Sequence, residues 1–180
     1  ADYTIAVSQC SEDDWRAQMN KEILREALFY PGVNVEVYQA HDDNTHQIKD
    51  IESLIERKVD LLIVAPNEAE AITPVIEKAY DAGIPVILVD RKINSKKYTA
   101  YVGADNYEIG RKAGEYIADR LGGKGRVIEI TGLRGSTPAV ERHRGMMEAL
   151  KAAPGVQVVA SVEAGWFRQK AGEVMDTLLD

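Results

Sequence analysis

The stretch Gly83-Ile84-Pro85-Val86-Ile87-Leu88-Val89-Asp90-Arg91 decides how the rest of this chain is read. A glycine and a proline punctuate the start of a short apolar run, and the run ends without transition in an acid and a base. An apolar run of this length without alternation fits a strand buried on both faces, as in parallel sheets covered by helices. Such sheets take ligands in the crevice beyond the carboxyl ends of their strands, so Asp90 and Arg91 stand where ligand hydroxyls could be read. A strand that simply emerges into solvent would also end in charge, and the flanking sequence separates the two readings.

On either side, short β-branched runs alternate with helical periodicity, the signature of βαβ units and a mainly parallel sheet. Strands are expected near Thr4-Ser8, Asn34-Gln39, Leu61-Ala65, Val86-Asp90 and Thr99-Val102. Between them Trp15, Met19, Ile23 and Ala27 recur every four residues, and Ile48, Ile51, Ile55 and then Ile72, Val75, Ile76, Ala79 follow helical spacing. A second series begins after Gly103, with helices expected over about 106–121, 138–152 and 167–179 and strands over 126–131 and 156–162. No Ser-, Pro- or charge-rich linker divides the series. Crossing strands would therefore join an N-terminal lobe of residues 1–103 to a C-terminal lobe begun by residues 104–180, with a hinge near Gly103-Ala104.

The Pro31-Gly32 that separates a helix from a strand in the first series is echoed by Pro154-Gly155 in the second. Counted from that echo, the first series continues into a third strand at Leu61-Val64, whereas the second reaches residue 180 where its third strand is due. The expectation is two parallel-sheet, Rossmann-like lobes with the second truncated.

Composition narrows function. The chain has 180 residues, 45% hydrophobic, enough for a substantial core. Its 22 basic and 29 acidic residues give a net charge of -7, which opposes a phosphate backbone and an anionic membrane surface alike. No nucleic-acid partner is expected for this segment, and any membrane attachment would lie in flanking segments. Cys10 is the single cysteine, so no intrachain disulfide can form. His41, His46 and His143 show no metal spacing, and neither a metal nor a cofactor is expected. Gly132-Leu133-Arg134-Gly135-Ser136-Thr137 follows a strand and opens a helix but lacks both the P-loop lysine and the dinucleotide glycine spacing. Its glycines are read as letting backbone approach a ligand or the other lobe, with Ser136 or Thr137 capping the next helix. No nucleophile elbow is present. A binding domain is expected, not an enzyme.

Beyond strand ends, an aromatic or acid recurs beside an arginine: Asp14-Trp15-Arg16, Asp90-Arg91, Glu141-Arg142 and Gly165-Trp166-Phe167-Arg168. A flat ring can stack on the C–H face of a sugar while Asp and Arg take its hydroxyls, often in bidentate geometry. The candidate ligand-binding residues are Trp15, Arg16, Asp90, Arg91, Arg142 and Trp166. Trp15 shares a stripe with Met19 and Ile23, so helix packing fits it as well as a pocket wall does. Arg16 and Arg168 also fit solvated helix ends.

With these residues in view, the chain resembles the type I periplasmic binding proteins of the ribose-binding kind and the effector domains of LacI-type repressors. The resemblance runs over essentially the whole length, through Ile5-Ala6-Val7-Ser8, Ile84 to Arg91, Val102-Gly103-Ala104-Asp105-Asn106 and Ala139 to Gly145. It implies that Asp90 and Arg91 bind sugar hydroxyls, that Arg142 and Trp166 supply the second-lobe arginine and aromatic, and that Trp15 keeps one of two stacking rings while Asp14 replaces the other. The segment Ser8 to Arg16 is similar to the extracytoplasmic sensor domains of Bacteroides-type hybrid two-component systems, the fructose-sensing branch in particular. The implied function is a periplasmic monosaccharide sensor, with ligand in the inter-lobe cleft and hinge closure as the signal. A sugar transporter's binding component and a repressor's effector domain are the alternatives, and homodimerisation stays open. Asp90→Ala is expected to abolish sugar binding while the fold survives.

Overall fold

A computed structural model describes residues 2–179. The chain divides into two compact units, Ala1–Gly103 and Ala104–Asp180. The first contains β1 (Tyr3–Gln9), α1 (Asp14–Ala27), β2 (Val33–Gln39), α2 (Asn44–Glu56), β3 (Leu61–Val64), α3 (Ala69–Asp81), β4 (Val86–Val89) and β5 (Ala100–Val102). The second contains α4 (Asn106–Arg120), β6 (Lys124–Thr131), α5 (Thr137–Leu150), β7 (Gly155–Glu163) and α6 (Arg168–Leu179). The fold is the expected α/β type with parallel sheets, element by element.

In the first unit the strands run parallel in the order β2-β1-β3-β4-β5. The chain leaves β1 outward to β2 and then returns past β1 to β3, so strand order reverses between β1 and β3. That switch point opens a crevice at the carboxyl ends of these two strands, which is where parallel sheets bind ligands. One face of the sheet is a dry core: Ala6, Leu62, Val64, Val86 and Leu88 are wholly buried against Ile51 and Leu54 of α2 and Ile72 and Ile76 of α3. Each such aliphatic side chain contributes ~1.5–3 kcal/mol relative to exposure. Because strand side chains alternate, Tyr3, Ile5 and Val7 stand on the opposite face, over which α1 crosses from β1 to β2.

Aspartates set the helix starts. Asp13, Asp43 and Asp105 lie extended before α1, α2 and α4, and each side chain accepts the backbone N–H three residues on, from Arg16, His46 and Glu108. Ser136 precedes α5 but does not cap it; its hydroxyl donates to the Leu133 carbonyl at 2.6 Å instead. The Pro-Gly echo also differs in use: Gly32 adopts φ +93°, while Gly155 is not among the left-handed residues.

The second unit carries a two-stranded parallel sheet, β6 beside β7, with an irregularity between Val127 and Ile128. Its core gathers Met146 and Leu150 of α5 with Val156, flanked by Ile117 and Val127. The helices α4 and α5 cross in close contact because glycines line the crossing. A Cβ on Gly110 would stand 2.0 Å from the Arg142 carbonyl oxygen, and one on Gly145 would stand 2.0 Å from that of Tyr107.

Candidate functional site

At the end of β4 the chain turns back on itself. The Arg91 N–H donates to the Val89 carbonyl at 2.6 Å, and Asp90 between them takes φ +61°. Aspartate tolerates this left-handed geometry better than most side chains, and such residues gather at functional positions. The Asp90 N–H is held by the Val102 carbonyl at 2.8 Å, and the Asp90 carbonyl accepts the Tyr101 hydroxyl at 3.1 Å. Both sides of the turn are thereby fixed.

Asp90 does not meet solvent alone. Arg16 donates from Nη2 to Asp90 Oδ2 at 2.6 Å, and Arg91 Nε lies 3.9 Å from the same oxygen. The Arg16 side chain is 3% exposed and that of Arg91 5%, against 30% for Asp90. Arg16 is therefore no solvated helix-terminal charge. The first two turns of α1 point inward through Arg16 and Asn20, and Trp15, 58% exposed, faces out. The four-residue stripe that began at Trp15 thus misreads the start of α1, whose buried face there is polar. The Arg16 guanidinium carbon lies 4.8 Å from the Trp15 ring centroid, a cation–π distance.

Two neighbouring strand ends and helix α2 supply polar groups that carry no motif in the sequence. Gln9, at the end of β1, is wholly buried and donates from Nε2 to Asn20 Oδ1 at 2.6 Å. Asn67, beyond β3, is buried, and its carbonyl accepts Arg91 Nη1 at 2.9 Å. Its Nδ2 donates to the Asp42 carbonyl at 3.1 Å and to Asn44 Oδ1 at 2.9 Å. Gln47 of α2 ties the edge together, donating to Ser8 Oγ and the Ala65 carbonyl and accepting the Asn67 N–H. Gln9 Oε1, Arg16 Nη1 and Asn67 Oδ1 are buried without a hydrogen-bond partner. Orphaned buried polar atoms are costly, and Arg16 Nη1 belongs to the guanidinium that meets Asp90. A polar residue at the end of β1, and one three positions past the end of β3, on either side of the switch point, were the available signals for Gln9 and Asn67.

Charge balance follows from burial. Desolvation pushes the Arg91 guanidinium below the ordinary arginine value, and nearby Arg16 adds to this while Asp90 opposes it. Desolvation likewise pushes the Asp42 carboxyl up, with Arg91 opposing. At Asp13 burial acts upward but is outweighed by the Arg16 N–H and the Ser11 hydroxyl, which hold the carboxyl below its ordinary value.

In the second unit Arg142 of α5 donates from Nε to Oδ1 of buried Asn106 at 2.8 Å, and its guanidinium carbon lies 5.6 Å from the Trp166 ring centroid. Asn106 opens α4, so the glycine crossing of α4 and α5 brings this pair together. Trp166 has φ +75°, rare for a bulky side chain. Gly132 is what admits its ring: a Cβ there would stand 2.1 Å from Trp166 Cε2. The glycine expected to clear space for a ligand or the other lobe instead clears it for the tryptophan. Trp15, Arg16, Asp90 and Arg91 are thus brought together in the first unit, and Arg142 and Trp166 in the second. Among the described residues no cluster suited to a metal ion is found, and no helix is long and apolar enough to cross a membrane.

Comparison with known proteins yields a consistent set. The model of a family described as periplasmic binding protein domain matches residues 5–180. The galactofuranose-binding protein YtfQ of Escherichia coli is 33% identical over 99% of this chain, and the ribose import binding protein RbsB of Bacillus subtilis is 32% identical over 99%. The chain spans 58% of the length of each of these two relatives. Among solved structures, the fructose binding periplasmic domain of hybrid two component system BT1754 superimposes with a TM-score of 0.94 at 55% identity, over 98% of this chain and 59% of that one.

Proposed function

Because the chain belongs to the periplasmic binding protein domain family, a family of extracytoplasmic binding domains rather than enzymes, we propose that it binds a monosaccharide, fructose foremost, as part of a hybrid two-component sensor. The carrying observation is the buried Arg16–Asp90–Arg91 cluster beyond the carboxyl end of β4, with Arg91 tied to the Asn67 carbonyl beyond β3. Asp90 accepts ligand hydroxyls while Arg16 and Arg91 donate to them, in the directional geometry that distinguishes one hydroxyl array from another. Trp15 offers an exposed ring to the sugar's C–H face, and by the family resemblance Asp14 replaces a second stacking ring. Arg142 and Trp166 supply the second unit's contribution. A ligand shifts a conformational equilibrium only by its differential affinity for the two states, and ligand-favoured closure about Gly103-Ala104 is the proposed signal.

Fructose and the sensor role rest on the 55% identity to the BT1754 domain. A transporter's binding component is the second reading, favoured by the ribose import relative. Calorimetry of the protein with fructose, ribose and galactose tests the ligand. Micromolar fructose binding that is lost in Asp90→Asn, with the variant still unfolding cooperatively at a lowered melting temperature, is the expected result. No heat with any of the three sugars, or Asp90→Asn binding like the parent, rejects the site.

A further inference from the structure

We infer that Tyr101 is a positioning residue for the proposed sugar site and that Gly103 is a glycine to make room for it, a role that rests on Asp90 and Arg91 meeting the ligand. Asp90 and Arg91 share one planar peptide group, so the tilt of that plane sets the direction in which both side chains leave the chain. The plane is held at its two edges. On one, the Arg91 N–H donates to the Val89 carbonyl at 2.6 Å; on the other, the Asp90 carbonyl accepts the Tyr101 hydroxyl at 3.1 Å. Backbone at φ +61° persists in a residue other than glycine only where its surroundings over-determine it, and the tyrosine hydroxyl supplies part of that constraint.

The ring that carries this hydroxyl is fixed by its own neighbours. Tyr101 lies on β5 opposite Leu88 of β4 and packs against the α2/α3 core, and Lys92 Nζ stands 5.1 Å from its ring centroid. Its tip comes to lie where a side chain on Gly103 would begin. A Cβ there would fall on the Tyr101 hydroxyl and stand 2.5 Å from Cζ. Gly103 is not among the residues with left-handed backbone, so conformational freedom does not account for a glycine at this position, and room for the tyrosine does. Such a Cβ would meet the far end of a side chain and not backbone, so the tyrosine would swing off the Asp90 carbonyl while the chain path survives. Gly103 closes the first unit, where the proposed hinge turns. Hinge glycine and ligand acid therefore face one and the same hydroxyl.

Calorimetry with fructose, well below the melting transition of every variant, tests this role. Tyr101→Phe keeps the ring and drops the hydroxyl, and it should bind about tenfold more weakly, the equivalent of one hydrogen bond near the top of its usual range. Gly103→Ala should lose a similar factor, and in a Tyr101→Leu background it should lose nothing further, because the group it displaces is gone. A glycine needed for backbone freedom would show the same loss in both backgrounds, and that result overturns the inference, as does Tyr101→Phe binding like the parent. Amide hydrogen exchange of the sugar-free protein reads the same clasp without a ligand. The Asp90 and Arg91 amides should exchange about tenfold faster in Tyr101→Phe, with those of Ile87 and Leu88 in β4 unchanged. A parent that binds no fructose yet shows this difference sinks the sugar reading and keeps the clasp, whereas equal exchange in parent and variant sinks the clasp.

Discussion

Replacing Asp90 by alanine should cost the fold, not only the ligand. Two unit charges ~4 Å apart at an effective dielectric near 20 attract by ~4 kcal/mol. Arg16 is 3% exposed and already has Nη1 unpartnered, so losing its carboxylate strands a buried cation beside a second one, Arg91. Removing one partner of a buried pair costs ~3–5 kcal/mol, and Asp90→Ala is expected in that range. Arg16→Met should cost less, ~1–2 kcal/mol, because Asp90 is 30% exposed and keeps Arg91 at 3.9 Å, and because a poorly solvated guanidinium leaves the interior. Asp90→Asn keeps an oxygen for the Arg16 N–H and should fall between them. Equilibrium urea unfolding reads all three through the midpoint at constant slope. The double variant Arg16→Met/Asp90→Ala should be milder than the two singles added, since each removes the same interaction. An Asp90→Ala cost below ~1 kcal/mol, or one smaller than that of Arg16→Met, would refute this reasoning. The expectation that Asp90→Ala abolishes binding on an unperturbed fold is revised accordingly, and Asp90→Asn is the variant suited to calorimetry.

Further outcomes follow from the same geometry. Gly132→Ala should expel the Trp166 ring, since ring atoms occupy the space within 2.3 Å of the new Cβ, and in a Trp15→Phe background the emission should move to longer wavelength; an unmoved spectrum contradicts the packing. Gly145→Ala should push α5 off α4 and cost ~1–3 kcal/mol, whereas Gly172→Ala on α6, where a Cβ meets nothing within 4 Å, should be neutral or stabilising; thermal unfolding of both compares them directly. The Asp13 carboxyl lies below its ordinary 3.8, so the folded state favours its charged form. Its cap, ~1 kcal/mol, is present above that value and lost as pH falls through the lowered one. Asp13→Ala should therefore remove stability near neutrality and flatten the acid limb of the pH–stability curve.

What could be read from the chain was the framework. Apolar β-branched runs place every strand, and the helices of the second series, within about two residues, and the apolar stripes mark α1, α2 and α3 without their ends. The Asp90-Arg91 terminus was equally legible, since charge directly after such a run has few places to stand. Arg16 was not. Its burial depends on a carboxylate 74 residues away, and no local pattern tells a solvated helix-terminal arginine from one folded under a sheet edge. Gln9 and Asn67 were missed for the same reason: each polar side chain is tolerable inside only because Asn20, Gln47, Asn44 or Arg91 meets it there. Gly132 looked like part of a ligand loop until its neighbour across the turn proved to be Trp166. Secondary structure follows from the periodicity of hydrophobic side chains, which is local, whereas strand order is a matter of pairing between distant segments. The partners of buried charge and the room for a ring depend on atoms distant in sequence, and only the tertiary structure brings those into range.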